Sequence, residues 1–303
     1  MQNTSNLLMI KPVNFGFNEE TASNNAFQFK DSNSDVQTRA LNEFNNYVKK
    51  LEKNGINVLV VEDTPKPYTP DSIFPNNWIS FHEDGRLCLY PMFALNRRQE
   101  RKNTVMDAIN NKFSVKNIVD LTKFENENLF LEGTGSMVLD RDNKIVYACL
   151  SERTNIKVLN EFAKIFGYSI ASFNAVDKNG LPIYHTNVVM SVSEQIVVIC
   201  LDTVNDASEK EMLLSTIKKS NKELLEISFE QMSNFAGNML QVKNDKGKQF
   251  MVMSKTAYNI LDAKQIDLIK KYNEIIAVDI DTIERNGGGS ARCMLAEIFL
   301  NRK

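Results

Sequence analysis

Short apolar runs alternate along this chain with segments whose apolar residues recur every three or four positions. The runs include VLVV ending at Val61, WISF from Trp78 to Phe81, SMVL from Ser136 to Leu139 and IVYACL ending at Leu150. Further on come NVVMSV from Asn187, QIVVICL ending at Leu201, NMLQV from Asn238, QFMVMS from Gln249 and IIAVDI from Ile275. Runs of this length between polar clusters predict buried strands. Residues 37–53 place Ala40, Leu41, Phe44, Tyr47, Val48 and Leu51 on one helical face, and 153–166, 209–219 and 263–272 carry the same spacing. Gly55 reads as a helix-stop glycine after the first of these.

Five of the runs are approached alike. SIFPNNWISF, LFLEGTGSMVL, IYHTNVVMSV, NFAGNMLQV and GSARCMLAEIF each set small or polar residues just before an apolar stretch. Measured at Asn77, Gly135, Asn187, Asn238 and Cys293, the intervals are 58, 52, 51 and 55 residues. A regular period of that size points to repeated supersecondary units packed around an axis. No Pro/Gly/Ser linker interrupts the series, so the expectation is one closed α/β domain over residues 1–303. In a radial arrangement the approach loops converge at one end of the central channel. Cys293, His185, Glu132, Asp71, Asn76 and Asn77 would then meet there. Two segments are expected elsewhere. His82, in FHEDGRL, reads as an exposed residue of a hairpin-like turn. Residues 21–36 are polar and Asn/Ser-rich, which fits an ordinary surface loop or a flap over the mouth.

Composition narrows the classes. At 43% hydrophobic residues, the 303-residue chain has ample material for a core. A net charge of −2 with mixed signs gives no footprint for nucleic acid or an anionic membrane. The first residues lack a basic segment followed by a long apolar stretch, so neither a signal peptide nor a membrane span is expected. The four cysteines (Cys88, Cys149, Cys200, Cys293) are widely separated with no CxxC pair, which argues against a disulfide framework or zinc site and for the cytoplasm. Cys88, Cys149 and Cys200 fall inside apolar runs and read as small buried hydrophobes. There are two histidines, His82 and His185, so any imidazole chemistry must use one of them.

A thiol, an imidazole and a carboxylate are the parts of a nucleophilic hydrolase. The thiolate attacks an sp2 carbon, the imidazole shuttles a proton to the leaving nitrogen, and the carboxylate orients it. Each residue also has a plainer use: Cys293 in packing, His185 as a satisfied structural histidine, Glu132 at a turn, the glycines of NGGGS in a tight bend. Their equivalent places in the repeats favour the joint catalytic reading.

The motifs resemble those of the guanidino-group-modifying pentein superfamily, which includes arginine deiminases, dimethylarginine dimethylaminohydrolases and amidinotransferases. TPDSIFPNNW is similar to PDSxFxED, NRRQE to SRRxE, and SERTN to SxRTN. LEGTGSMVLD is similar to the [ED]GGDV stretch, YHTN to the HxD or HxK segment, and SARCM to the catalytic-cysteine strand. FPNNW, LEGTGS, YHTN, FAGNM and GGGSARCM bring the chain nearest to the citrulline-utilisation branch, often labelled arginine deiminase-related or amidinotransferase. The resemblance implies a five-bladed α/β propeller with pseudo-fivefold symmetry. It also implies Cys293 as nucleophile, His185 as general acid and base, and Glu132 as its orienting carboxylate. Arg98 and Arg153 would grip the substrate carboxylate, with Arg97 the alternative to Arg98.

The chain departs from the pattern in one direction. Where the pattern has a Glu-Asp pair this sequence has Asn76 and Asn77, and where it has Asp it has Gly135 and Asn187. Amides accept and donate, which suits a neutral ureido group; an unpaired buried cation costs several kcal/mol. The expectation is a cysteine-dependent hydrolase of L-citrulline, giving ornithine, ammonia and carbon dioxide through an S-carbamoyl intermediate. Asp71, Asn76, Asn77, Arg98, Arg153 and Asn187 would bind substrate. Neither metal nor cofactor is expected. The partner is a small amino acid, not nucleic acid or membrane, and a homo-oligomer is open. The alternatives are arginine deiminase, dimethylarginine dimethylaminohydrolase or amidinotransferase, and a non-catalytic pentein scaffold.

Overall fold

The computed structural model describes residues 1–22, 25–31 and 35–303. Its strands form five small sheets of three. Strands β1 (Asn6–Lys11) and β2 (Asn57–Glu62) belong to the first. The second holds β3 (Ile79–Phe81), β4 (Arg86–Leu89) and β5 (Asn117–Asp120), and the third β6 (Val138–Asp140), β7 (Ile145–Cys149) and β8 (Ser169–Phe173). The fourth holds β9 (Met190–Val192), β10 (Ile196–Ile199) and β11 (Glu223–Glu226), and the fifth β12 (Leu240–Lys243), β13 (Gln249–Ser254) and β14 (Glu274–Val278). Strand β15 (Ala296–Glu297) returns to the first sheet.

Each sheet repeats one pattern. A short strand pairs antiparallel with the middle strand, as Ser80 faces Cys88, and the middle strand pairs parallel with a third, as Leu87 faces Ile118. A parallel pair cannot be joined by a tight turn. The crossovers are the helices Val36–Lys53, Asn103–Lys112, Ile156–Phe166, Ala207–Lys219 and Ala263–Tyr272. The third shows why these segments coil. The Asn155 side chain accepts from Lys157 N, Gly167 ends the helix at φ +72°, and Val158, Leu159, Phe162, Ala163 and Phe166 form its buried stripe. The ring closes on itself, because β15 pairs with β1 through Leu7–Glu297 and Leu8–Ala296. The strand after the thiol is thereby fixed to the strand that opens the chain.

The expected fivefold repeat is present, with an outer strand in three of the blades that the apolar pattern did not mark. Strands β5, β8 and β11 are half-exposed, so their sequences NIVD, SIASF and ELLE contain no apolar run. His82 departs from its expectation. It is buried rather than exposed, stacked on Phe166 with centroids 3.9 Å apart, with Nε2 3.0 Å from Ser80 Oγ. Burial, reinforced by Arg141, pulls its pKa well below the ordinary imidazole value, so the ring is a neutral packing element. Cys88, Cys149 and Cys200 are buried, and burial pushes all three thiols up, away from reactivity. Among the described residues no helix is long and apolar enough to cross a membrane.

Candidate active site

Each blade reaches the axis through a short turn just before its inner strand. Four of these are single helical turns, Pro75–Asn77, Gly133–Ser136, Thr186–Val189 and Ala291–Met294, and the remaining one is the bend around Phe235 at φ +61°. Cys293 arrives on the last helical turn, with its N–H on the Ser290 carbonyl at 2.9 Å. The glycine run ahead of it is dictated by crowding. Gly288 has φ +63°, and a Cβ there would lie 2.5 Å from Asn25 Nδ2; Cβ atoms at 287 and 289 would press on the Phe74 ring at 2.7 and 2.9 Å.

Asp71, Asn77, Arg97, Arg153, His185 and Cys293 line one buried cavity of about 20 Å³. The sulfur and the imidazole thus share a space. His185 Nε2 is 2.8 Å from Glu132 Oε2, and Glu132 Oε1 accepts from Phe93 N–H at 2.9 Å. Arg153 Nη1 stands 3.6 Å from the same carboxylate, and its guanidinium lies 4.8 Å over the Tyr184 ring. Burial pushes the Glu132 carboxyl up, but the Arg153 guanidinium and His185 outweigh it and hold the pKa at about 2. An ionised carboxylate only accepts, so Nε2 carries the proton and Nδ1 is the free base. Burial lowers His185 to about 4 against the raising effect of Glu132, so the imidazole is neutral near pH 7.

The structure sorts the remaining residues named from sequence. Asp71 is buried, accepts from Asn18 Nδ2 at 2.7 Å and Thr21 Oγ1 at 3.3 Å, and has Oδ1 without a partner. Asn77 Oδ1 accepts from Arg97 Nη1 at 2.8 Å, which leaves its Nδ2 unpartnered. Asn76 is buried with both amide atoms unpartnered, but does not line the cavity. Asn187 lies against the thiol, with Nδ2 3.4 Å from Sγ.

Arg98 is a correction. Its guanidinium donates to the Met92 carbonyl at 2.9 Å and stands 3.8 Å from Glu125, outside the cavity. Arg97 occupies the cavity wall in its place, held by Glu100 at 2.9 and 3.0 Å. Arg98→Ala is therefore expected to change kcat/KM by less than about fivefold, since a partly exposed pair of this kind contributes little. Steady-state kinetics check this, and a hundredfold loss would return Arg98 to the substrate. Of the 21–36 segment, Ser23, Asn24 and Ser32 to Ser34 lie outside the described residues. Thr21 and Asn25 line the cavity, so the described part covers the site rather than running over free surface.

Sequence reasoning passed over Asn238, whose Nδ2 lies 3.3 Å from the sulfur, and Tyr184, whose hydroxyl donates to Gly288 O at 3.0 Å. The signal for Asn238 was present: it holds the same place in its repeat as Cys293 does in the last. Among the described residues no group of three or more His, Cys, Asp or Glu could hold a metal ion.

Residues 11–300 match the sequence profile of the family described as N,N dimethylarginine dimethylhydrolase, eukaryotic. The chain belongs to that family. Several solved structures share its fold. The N-terminal domain of ArgZ, an arginine dihydrolase from the ornithine–ammonia cycle in cyanobacteria, superposes in a substrate-bound cysteine-to-serine variant with TM-score 0.75 at 16% identity, covering 97% of this chain and 99% of that one. An AgrE variant in binary complex with L-arginine gives 0.76 at 17%, over 97% of this chain and 40% of that one. The dimethylarginine dimethylaminohydrolase of Pseudomonas aeruginosa, complexed with citrulline, gives 0.63 at 13%, over 98% and 100%. The chain spans 40% of full-length ArgZ. No curated protein sequence matches it. The five blades are those of the pentein propeller, the fold this member of the dimethylarginine dimethylhydrolase family shares with these structures.

Proposed function

We propose that this family member hydrolyses the ureido group of L-citrulline. The observation that carries the reading is the wall beside the imidazole, which is made of an amide, Asn77, packed on a glycine, Gly135, that has no room for a side chain. A Cβ at 135 would lie 2.3 Å from Asn77 Nδ2 and 2.8 Å from His185 Nδ1. Glu132 is committed to His185, Phe93 N–H and Arg153, and Glu100 to Arg97. A cationic head at the reacting centre therefore meets amide dipoles, while a ureido group meets donors and acceptors of its own kind.

In the proposed reaction the Cys293 proton passes to His185 Nδ1 and the sulfur attacks the ureido carbon. The substrate Nδ–C bond breaks, with the His185 proton going to the departing amine of ornithine. Water, deprotonated by His185, then displaces the thiol from the S-carbamoyl group. The carbamate released decomposes to ammonia and carbon dioxide. Arg153 would receive the α-carboxylate, and Asp71 an N–H or the α-amino group. A cavity of about 20 Å³ holds about one water. Admission of an amino acid then requires the covering residues around Thr21 and Asn25 to shift.

A guanidinium substrate is the second reading, favoured by the unpartnered Asp71 Oδ1 in the same cavity and by the AgrE neighbour bound to L-arginine. Purified protein offered L-citrulline, L-arginine and dimethylarginine, with ornithine, citrulline and ammonia followed, separates them. Ornithine and ammonia from citrulline are expected; turnover of arginine without citrulline would overturn the proposal. Interception of the intermediate by an added amine would make the protein a transferase. Failure of Cys293 to react with a chloroacetamidine-type electrophile would favour a binding scaffold.

A further inference from the structure

Two side-chain amides close on the Cys293 sulfur, Asn238 Nδ2 at 3.3 Å and Asn187 Nδ2 at 3.4 Å. An amide can turn either end toward a neighbour, so its orientation needs independent anchors. Asn238 has two. Its Oδ1 accepts from the Arg292 backbone N–H at 3.0 Å, and its Nδ2 donates to the Asn187 carbonyl at 2.9 Å. A backbone N–H only donates and a carbonyl only accepts, so a flipped amide would oppose like to like at both contacts. The N–H end is locked as the nearer one to the sulfur, with Oδ1 at 3.7 Å. Local structure enforces this position. A Cβ at Gly237 would lie 2.2 Å from the Val188 carbonyl, so the glycine lets the bend press against the Thr186–Val189 turn.

The surrounding charges give that lock a consequence. His185 is neutral near pH 7. The Arg153 and Arg97 guanidinium groups are paired with Glu132 and Glu100. Arg292 directs its guanidinium to the Leu295 carbonyl and Glu297, at 2.9 Å each. A ureido substrate brings no positive charge of its own. Negative charge on the sulfur then depends on the N–H dipoles aimed at it, and a hydrogen bond to a charged group is stronger than one to a neutral group.

We propose that Asn238 is a positioning residue that holds the charge appearing on the Cys293 sulfur as its proton leaves, through this locked N–H···S contact, with Asn187 as the second donor. The role rests on Cys293 being the nucleophile of the reaction above, but not on which substrate it attacks. It is tested without substrate. Iodoacetamide alkylation of Cys293 is followed by mass spectrometry from weak acid to weak base in wild type, Asn238→Ala and Asn238→Asp. The aspartate variant keeps the acceptor for Arg292 N–H while removing the donor. Both variants are expected to alkylate about tenfold or more slowly at pH 7, with the half-maximal rate reached at higher pH. Turnover falls through kcat, with KM within a few fold. A wild-type alkylation profile in either variant, with native circular dichroism, overturns the proposal, including when turnover is lost. If Asn238→Ala does not fold, Asn238→Asp decides, and Asn187→Ala should move the profile in the same direction. A shifted profile in a protein that never hydrolyses citrulline would uphold Asn238 and overturn only the substrate reading.

Discussion

Glu132→Gln is expected to lower kcat about 10⁴-fold, the scale seen when an imidazole is held in the wrong tautomer. Phe93 sets the orientation of the replacement side chain. Its N–H donates to Glu132 Oε1 at 2.9 Å, so a glutamine at this position keeps its carbonyl there. The glutamine NH2 then replaces Oε2, which stands 2.8 Å from His185 Nε2 and 3.6 Å from Arg153 Nη1. A donor facing His185 Nε2 makes that nitrogen the acceptor and moves the ring proton to Nδ1. The free base is lost. The same change sets an N–H against the Arg153 guanidinium and removes its buried counter-charge, a loss of the order of 3–5 kcal/mol in stability. Steady-state kinetics at saturating substrate, with a thermal melt beside them, measure both effects. A folded variant within tenfold of wild-type kcat would remove Glu132 from its role.

The pH behaviour of the same pair follows from its two shifts. The carboxyl is held at about 2, so its stabilising interaction is present above its unfolded range and lost as pH falls toward 2. His185 at about 4 is lowered, so the unfolded chain takes up its proton first and stability also falls as pH drops below about 6.5. Both run in one direction, toward acid loss.

What could be read from sequence was whatever repeats. Cys293, His185 and Glu132 are far apart in the chain, and only the repeat interval suggested that their turns converge. Arg98 was misassigned because phase, not presence, decides. Successive residues on a helical turn differ by about 100° in direction, so Arg97 points at Asn77 while Arg98 points at Met92 O. His82 was misread because its cover comes from Phe166, on a helix whose packing no local pattern announces. Outer strands β5, β8 and β11 were invisible because each offers only two or three apolar residues, too few to register as a run. The glycines were legible as a bend but not as clearance, since Phe74 and Asn25 reach them only in the folded ring.

Gly135→Ala is expected to lower kcat about 10²- to 10³-fold, although a single methyl is added. The backbone there is not left-handed, so alanine meets no intrinsic strain and the effect reads out through the neighbours. Those neighbours cannot yield. The Cβ would lie 2.3 Å from Asn77 Nδ2 and 2.8 Å from His185 Nδ1 and Cε1. Asn77 is pinned by Arg97, itself pinned by Glu100, and His185 is pinned by Glu132. Overpacking of this kind costs about 1–3 kcal/mol, and misplacing a catalytic group by about 1 Å costs about 10² in rate. The contact can be separated from the chemistry by a second change. Asn77→Ala removes the closer clash, so the double variant should recover much of the melting temperature lost in Gly135→Ala while turnover stays low. Wild-type kcat and melting temperature in Gly135→Ala would mean that the amide and the imidazole do not meet over this glycine. The same crowding bears on substrate choice. An aspartate at 135, as in the guanidino pattern, has no space while Asn77 stands where it does, so carboxylates could be restored to this wall only by changing both positions together.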